Sequence, residues 1–131
     1  MKKPIQSSGK RKRAVARATL RDGTGKVTIN GQSLDTYGNS IIQLRISEPV
    51  VLAGDKMSKV DISVSVNGGG VYGQADAVRL AMARALVNYD KKLKKVFDEY
   101  DRLLLVADVR RKEVCKPNVS KARKKRQKSY R

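Results

Sequence analysis

A chain of 131 residues is long enough for one domain with extensions and too short for two. Thirty Lys or Arg against twelve Asp or Glu leave a formal net charge of +18. A surplus of that size selects polyanionic partners, nucleic acid or an anionic membrane, and says little about fold.

The residue inventory narrows the function further. With no His and a single Cys, Cys115, the chain has no partner for an internal disulfide and too few ligands for a zinc site. General acid–base and nucleophilic catalysis have almost no candidates, so neither an enzyme nor a small-molecule substrate or cofactor is expected. No apolar run approaches the roughly 20 residues that span a bilayer. The basic opening MKKPIQSSGKRKR leads into no signal-peptide stretch, and no membrane partner is expected. A reducing cytoplasm is the expected compartment.

Along the chain, GKRKR at 9–13 is a basic opening to a first strand over 14–20, where small and branched apolar residues are broken by Arg17 and Thr19. Asp22-Gly23-Thr24-Gly25 is a turn signal, and a second strand over 26–30 alternates Val27 and Ile29 with polar residues, so the two strands are expected to form a β-hairpin. Asn30-Gly31 marks another turn. Residues 33–37 fit a short helical turn ending at Gly38. A second short helix over 39–46, capped by Asn39 or Ser40, is expected to stop before Pro49. Residues 54–58 are expected to be a loop.

Residues 60–66, VDISVSV, alternate strictly between apolar and polar, which predicts a strand in a sheet covered on one face only. NGGGVYG at 67–73 interrupts it before the longest helix, from Gln74 to about Asn88. There Val78, Ala81, Met82, Ala85 and Leu86 form an apolar stripe, with Asp76 and Arg79 as outward i,i+3 partners. Asp90 is expected to cap a further helix with Leu93, Val96, Phe97 and Tyr100 at helical spacing. Residues 103–107 fit either a last strand or a buried connection, and Asp98, Glu99 and Asp101 a solvated helix end.

Charge placement divides the chain. Residues 1–21 hold eight cations and no acid, residues 110–131 eleven cations and one acid, Glu113, and residues 22–109 eleven of each. The expected organisation is a globular α+β domain over 1–109 with a basic N-terminal arm (1–13), followed by an extended basic tail over 110–131. The tail has no hydrophobic repeat to offset the entropy of ordering itself. Its dense block Lys121, Arg123, Lys124, Lys125, Arg126, Lys128 and Arg131 suits phosphate neutralisation, and Tyr130 suits stacking on an unpaired base. Fully extended, it would reach about 70 Å at roughly 3.3 Å per residue. Gly68, Gly69, Gly70 and Gly73 beside a helix start fit either a tight turn with positive φ or a phosphate-backbone contact, and no Walker-type Gly-Lys-Ser/Thr follows them.

Four ordered stretches, GKRKRAVARATL, GKVTINGQSLDTY, VSVNGGGVYGQADAVRLAMARALV and KARKKRQKSYR, closely resemble the small-subunit ribosomal protein nine family from about Ser7 to Arg131. The ending QKSYR is similar to the archaeal and eukaryotic cytosolic branch. The resemblance implies an α+β two-layer sandwich like the second domain of ribosomal protein five, with a mixed four-stranded sheet, helices on one face and a left-handed βαβ crossover. It implies a structural role in the head of the small subunit, among other head proteins and on the 3′ major domain of its rRNA, with the tail reaching the anticodon stem-loop of peptidyl-site tRNA. By position, Lys10, Arg11, Lys12, Arg13, Arg17, Gly68, Gly69, Gly70, Gly73, Gln74, Arg110, Arg111, Lys116, Lys121, Arg123, Lys124, Lys125 and Arg126 would line rRNA. Lys128, Ser129, Tyr130 and Arg131 would touch tRNA.

The chain departs from the family at Asp108-Val109-Arg110-Arg111 and Cys115-Lys116-Pro117-Asn118, where relatives commonly carry Asp-Pro-Arg-Arg and then Lys-Lys-aromatic-Gly. Two other classes compete. A free-standing DNA-compacting protein would explain the charge, though such proteins normally place it on a folded arm or helix face. A nucleotide-dependent enzyme would need acidic metal ligands and a Lys beside the glycines.

Overall fold

A computed structural model describes residues 3–130. Five strands form one mixed sheet, β1 (Ile5–Arg11), β2 (Ala14–Asp22), β3 (Val27–Ile29), β4 (Gln32–Ser33) and β5 (Val60–Asn67), in the spatial order β1-β2-β5-β3-β4. Three helices, α1 (Ser40–Ala53), α2 (Val71–Tyr89) and α3 (Leu93–Tyr100), pack on one face. The α+β architecture expected from the sequence is present, with five strands in place of four.

The inward rows of the sheet follow from side-chain alternation. Ala14, Ala16, Ala18 and Leu20 of β2 and Val60, Ile62, Val64 and Val66 of β5 are buried, and their neighbours point away from the helices. The small β2 residues let α2 come close. Gly9 brings it closer still, because a Cβ there would lie 2.4 Å from the Ala77 carbonyl oxygen and 2.7 Å from the Ala81 nitrogen. Ala75, Ala77, Ala81, Ala83 and Ala85 are buried in turn, so strand and helix backbones meet with little side chain between them.

The hairpin expected between residues 14–20 and 26–30 does not form. β5 lies between those strands, antiparallel to β2 and parallel to β3. The Asp22–Gly25 turn is real, but its donors are satisfied by the start of β5. Gly23 and Gly25 donate to the carbonyls of Lys59 and Val60, and the Asp61 carboxylate accepts from the Thr24 and Lys26 amides at 2.8 Å each. The actual hairpins are β1–β2, turned at Lys12-Arg13 with Lys12 at φ 54, and β3–β4, turned at Asn30-Gly31 with φ 49 and 81. Positive φ at both Asn30 and Gly31 matches the right-handed twist of the strands they join. Residues 5–11, within the segment read as a basic arm, form the edge strand β1.

Two helix boundaries move. The Asn39 side chain accepts from the Ile42 amide and caps α1 as expected, but the helix runs through Pro49 to Ala53. Pro49 forfeits one backbone bond, and its ring and Ala53 are buried, so packing offsets the loss. The segment expected as a loop, residues 54–58, lies in a 3-10 turn over Gly54–Lys59 that buries Met57. α2 begins at Val71, three residues before the expected start. In α3 only Leu93 and Phe97 are buried, and the run after it is a buried connection through a 3-10 turn at Arg102–Leu104 that seats Leu104 in the core.

Arg79 is corrected from an outward residue to a buried one, 5 % exposed. One guanidinium nitrogen lies 2.5 Å from Glu48 of α1 and 2.9 Å from Asp101 after α3, so a single cation ties three helical segments together. Asp76 points elsewhere, to Arg45 and Arg11. The Arg79 hydrogen bond holds the Asp101 carboxyl below the usual carboxylate range. Arg79→Ala is expected to lower stability by about 3 kcal/mol, because it strands two carboxylates that keep only part of their water. Since the Asp101 pKa is depressed on folding, its contribution is complete above its unfolded pKa of about 3.9 and is lost as pH falls through the lower folded value. Thermal melts of wild type and Arg79→Ala across that acid range check both: the difference between them should shrink as pH drops.

Candidate nucleic-acid interface

The β1–β2 turn, the glycine loop and the start of α2 converge at one pole of the molecule. Gly68 and Gly69 take φ 77 and 68 and pack on the turn: a Cβ on Gly68 would meet the Arg13 carbonyl oxygen at 2.6 Å, and one on Gly69 the Ala14 nitrogen at 2.9 Å. The tight-turn reading therefore accounts for these two. Gly70 has ordinary φ −94, no atom within reach of an added Cβ, and caps α2 without a side chain. Gly73 and Gln74 lie in the first turn of α2, where the Gln74 side chain donates to the Gly68 carbonyl at 3.1 Å. The pole thus presents backbone N–H groups at a helix start beside the exposed side chains of Lys12 and Arg13. Tyr72, 61 % exposed on the same turn, adds an aromatic ring that the sequence reading left out, although it sits inside the NGGGVYG motif.

The tail is rooted at this pole. Arg111 donates to the Lys12 carbonyl at 2.9 Å. Asp108 accepts from the Arg110 amide at 2.9 Å, takes both arms of the Arg110 guanidinium, and lies 3.1 Å from Arg11. The Arg110 guanidinium holds the Asp108 carboxyl far below the usual carboxylate range, with its amide and Arg11 adding to the effect. Arg11 and Arg110 are therefore partnered by carboxylates within the chain. Lys10 and Arg17 lie apart from the pole on the other face of the sheet, both exposed.

Beyond the root the chain has no helix or strand up to residue 130. It is not fully extended, because Arg123 reaches back to grip Glu113 with contacts of 2.7 and 3.0 Å. The turn at Pro117-Asn118 needs no glycine, since Asn118 takes φ 63, which asparagine tolerates better than most residues. Lys116, Lys121, Lys124, Lys125, Arg126, Lys128, Ser129 and Tyr130 are exposed. Arg131 lies outside the described residues. Among the described residues, no cluster of His, Cys, Asp or Glu could hold a metal ion, and no helix is long and apolar enough to cross a membrane.

If the Asp108–Arg110 pair fastens the tail and not the core, Arg110→Ala should leave the melting temperature nearly unchanged, since the Arg110 side chain is 76 % exposed and such pairs contribute little to global stability. Asp108→Ala, which also strands the largely buried Arg11, should speed hydrogen exchange at the Arg110 amide and lower the melting temperature. Residue-resolved exchange together with melts of both variants checks this, and a large drop in melting temperature for Arg110→Ala would place that pair in the core network instead.

Comparison with known proteins gives the family. The family model described as Ribosomal protein S9/S16 matches residues 9–131. The protein named small ribosomal subunit protein uS9 from Thermoplasma volcanium is 50 % identical over 97 % of this chain and 98 % of its own. The proteins of that name from Pyrobaculum aerophilum and Methanothrix thermoacetophila are 49 % and 48 % identical, over 97 % and 98 % of this chain and 91 % and 99 % of theirs. On these matches the chain belongs to the ribosomal protein S9/S16 family, a family of ribosomal proteins and not of enzymes.

Proposed function

We propose that this protein is a structural component of the small ribosomal subunit in the cytoplasm. Residues 1–109 serve as a folded support, and the tail over 110–131 is the longest arm of its RNA-binding surface. The observation that carries this reading is that both basic ends meet at one pole: Arg111 of the tail bonds to Lys12 of the β1–β2 turn, beside Gly68–Gly70 and the open first turn of α2. That arrangement suits an RNA backbone, which helix-start N–H groups and clustered cations both attract. The rRNA of the subunit head is the proposed ligand of Lys12, Arg13, Gly70, Gly73, Gln74, Lys116, Lys121 and Lys124–Arg126, with head proteins as neighbours.

The end of the tail changes character. The cation block 123–126 gives way to Gln127, Ser129 and Tyr130, which bond or stack as well as neutralise. We assign Lys128, Ser129, Tyr130 and Arg131 to the anticodon stem-loop of peptidyl-site tRNA. Arg11 and Arg110 act differently from the other basic residues, since carboxylates already occupy them.

Two measurements test this. If about half of the nineteen terminal cations meet phosphates, the slope of log K against log salt on head rRNA should be about −6 to −7; a flat dependence would remove the termini from the contact surface. Small subunits reconstituted with a chain lacking 128–131 should assemble normally and release peptidyl-site tRNA faster. Unchanged tRNA release with defective assembly would make the whole tail an rRNA anchor.

A further inference from the structure

The face of the sheet turned away from the helices carries a second pattern. The register aligns Gln6, Thr19, Ser63, Thr28 and Ser33 in one row across all five strands, a continuous line of hydroxyl and amide groups. At strand spacings of 4.7–4.9 Å such a row is about 19 Å long. A neighbouring row runs Ser8, Arg17, Ser65. A shallow trough crosses the two rows, lined by Gln6, Ser8, Arg17, Thr19, Ser63 and Ser65.

Charge on this face is mainly positive. Lys10, Arg17 and Arg21 stand on it, and among the described residues none of them has a carboxylate partner. Asp61 stands on the same face opposite Arg21, at the end of the strands away from Lys10, and its carboxylate is engaged by the Thr24 and Lys26 amides. None of the five strands contains an aromatic residue, so the face offers no platform on which unpaired bases could stack. It also lacks the apolar or aromatic anchors around which protein interfaces are built, its one sizeable apolar side chain being Val15.

We propose that this open face docks on the shallow minor groove of double-stranded RNA, with the hydroxyl row bonding to ribose 2′-hydroxyls and Arg17, Lys10 and Arg21 facing the flanking phosphates. The wide, shallow minor groove of A-form RNA displays 2′-hydroxyls, and it is recognised through them and through shape more than through sequence. The proposal rests on the RNA-binding reading above and adds a second contact surface with a different chemistry: the pole and tail neutralise charge, while the sheet face distinguishes RNA from DNA.

The test uses the full chain and two probes of identical sequence, an RNA duplex and a DNA duplex of about 16 base pairs, at one fixed salt concentration. Thr19→Val, Ser63→Val and Ser65→Val, combined, remove three hydroxyls while suiting a strand and leaving every cation in place. Wild type should prefer the RNA duplex by about tenfold or more, the worth of one or two net hydrogen bonds. The triple variant should lose most of that preference with its DNA affinity and salt slope unchanged. An unchanged preference, or a wild type blind to the 2′-hydroxyl, would overturn the proposal; an intact salt slope in that event leaves the underlying RNA-binding reading standing, and the absence of any salt-dependent affinity would overturn both. In reconstituted small subunits, a hydroxyl-radical source tethered at Ser63→Cys, in a Cys115→Ser background, should cleave both strands of one RNA helix. Cleavage confined to unpaired RNA, or none with crosslinking to a neighbouring protein, would contradict it.

Discussion

The packing of α2 directly on β1 and β2 is the contact on which the rest depends. Gly9, Ala16 and Ala18 on the sheet and Ala77 and Ala81 on the helix leave almost no side-chain thickness between the two backbones. Adding a single methyl at Gly9 would force the helix outward, at a cost typical of overpacked cores, about 1–3 kcal/mol. The same closeness sets where α2 begins: the chain leaves β5 at Asn67 and must turn within a few residues to bring Val71 over the sheet. Gly68 and Gly69 make that turn against Arg13 and Ala14, so packing alone delivers the helix start to the β1–β2 turn.

Electrostatics completes the arrangement by sorting the arginines. Arg79 is spent inside, joining Glu48 and Asp101, while Arg11, Arg45 and Arg110 share Asp76 and Asp108 at the edge of the core. The acids of the otherwise neutral middle are therefore placed where cations would repel one another, and the surplus charge is left on the turn, the open sheet face and the tail. On the RNA-binding reading proposed above, a folded support of this kind would hold its shape without the polyanion, and the tail would exchange weak internal pairs such as Glu113–Arg123 for contacts outside.

Much of this was legible in the residues because it is local. The alternation of 60–66 gives β5 with its polar outer face, Asn39 caps its helix, and Asn30-Gly31 turns a hairpin. What stayed hidden is non-local. Nothing local marks β1 as a strand, because IQSSGKR contains one large apolar residue, Ile5, and its inward side continues with Ser7, with Gly9, which packs on α2, and with Arg11, which pairs with Asp108. The insertion of β5 between β2 and β3 depends on which strand satisfies the Gly23–Lys26 amides, a choice made only after residue 59 folds back. Arg79 looked solvated because its partners lie thirty-one residues before it and twenty-two after it. The motifs of the interface could be found one by one in the sequence, but their meeting at one pole could not, since it follows from the length of the glycine turn and the depth of the helix packing.

If a self-sufficient folded domain carries its RNA contacts largely on its basic tail, truncation after Val109 should separate the two, with melting temperature and affinity for head rRNA measured on the same sample. The truncated chain should melt close to the full chain and bind with an affinity lower by orders of magnitude and a shallower salt dependence. A truncated chain that unfolds, or one that binds rRNA as tightly as before, would refute this division of labour.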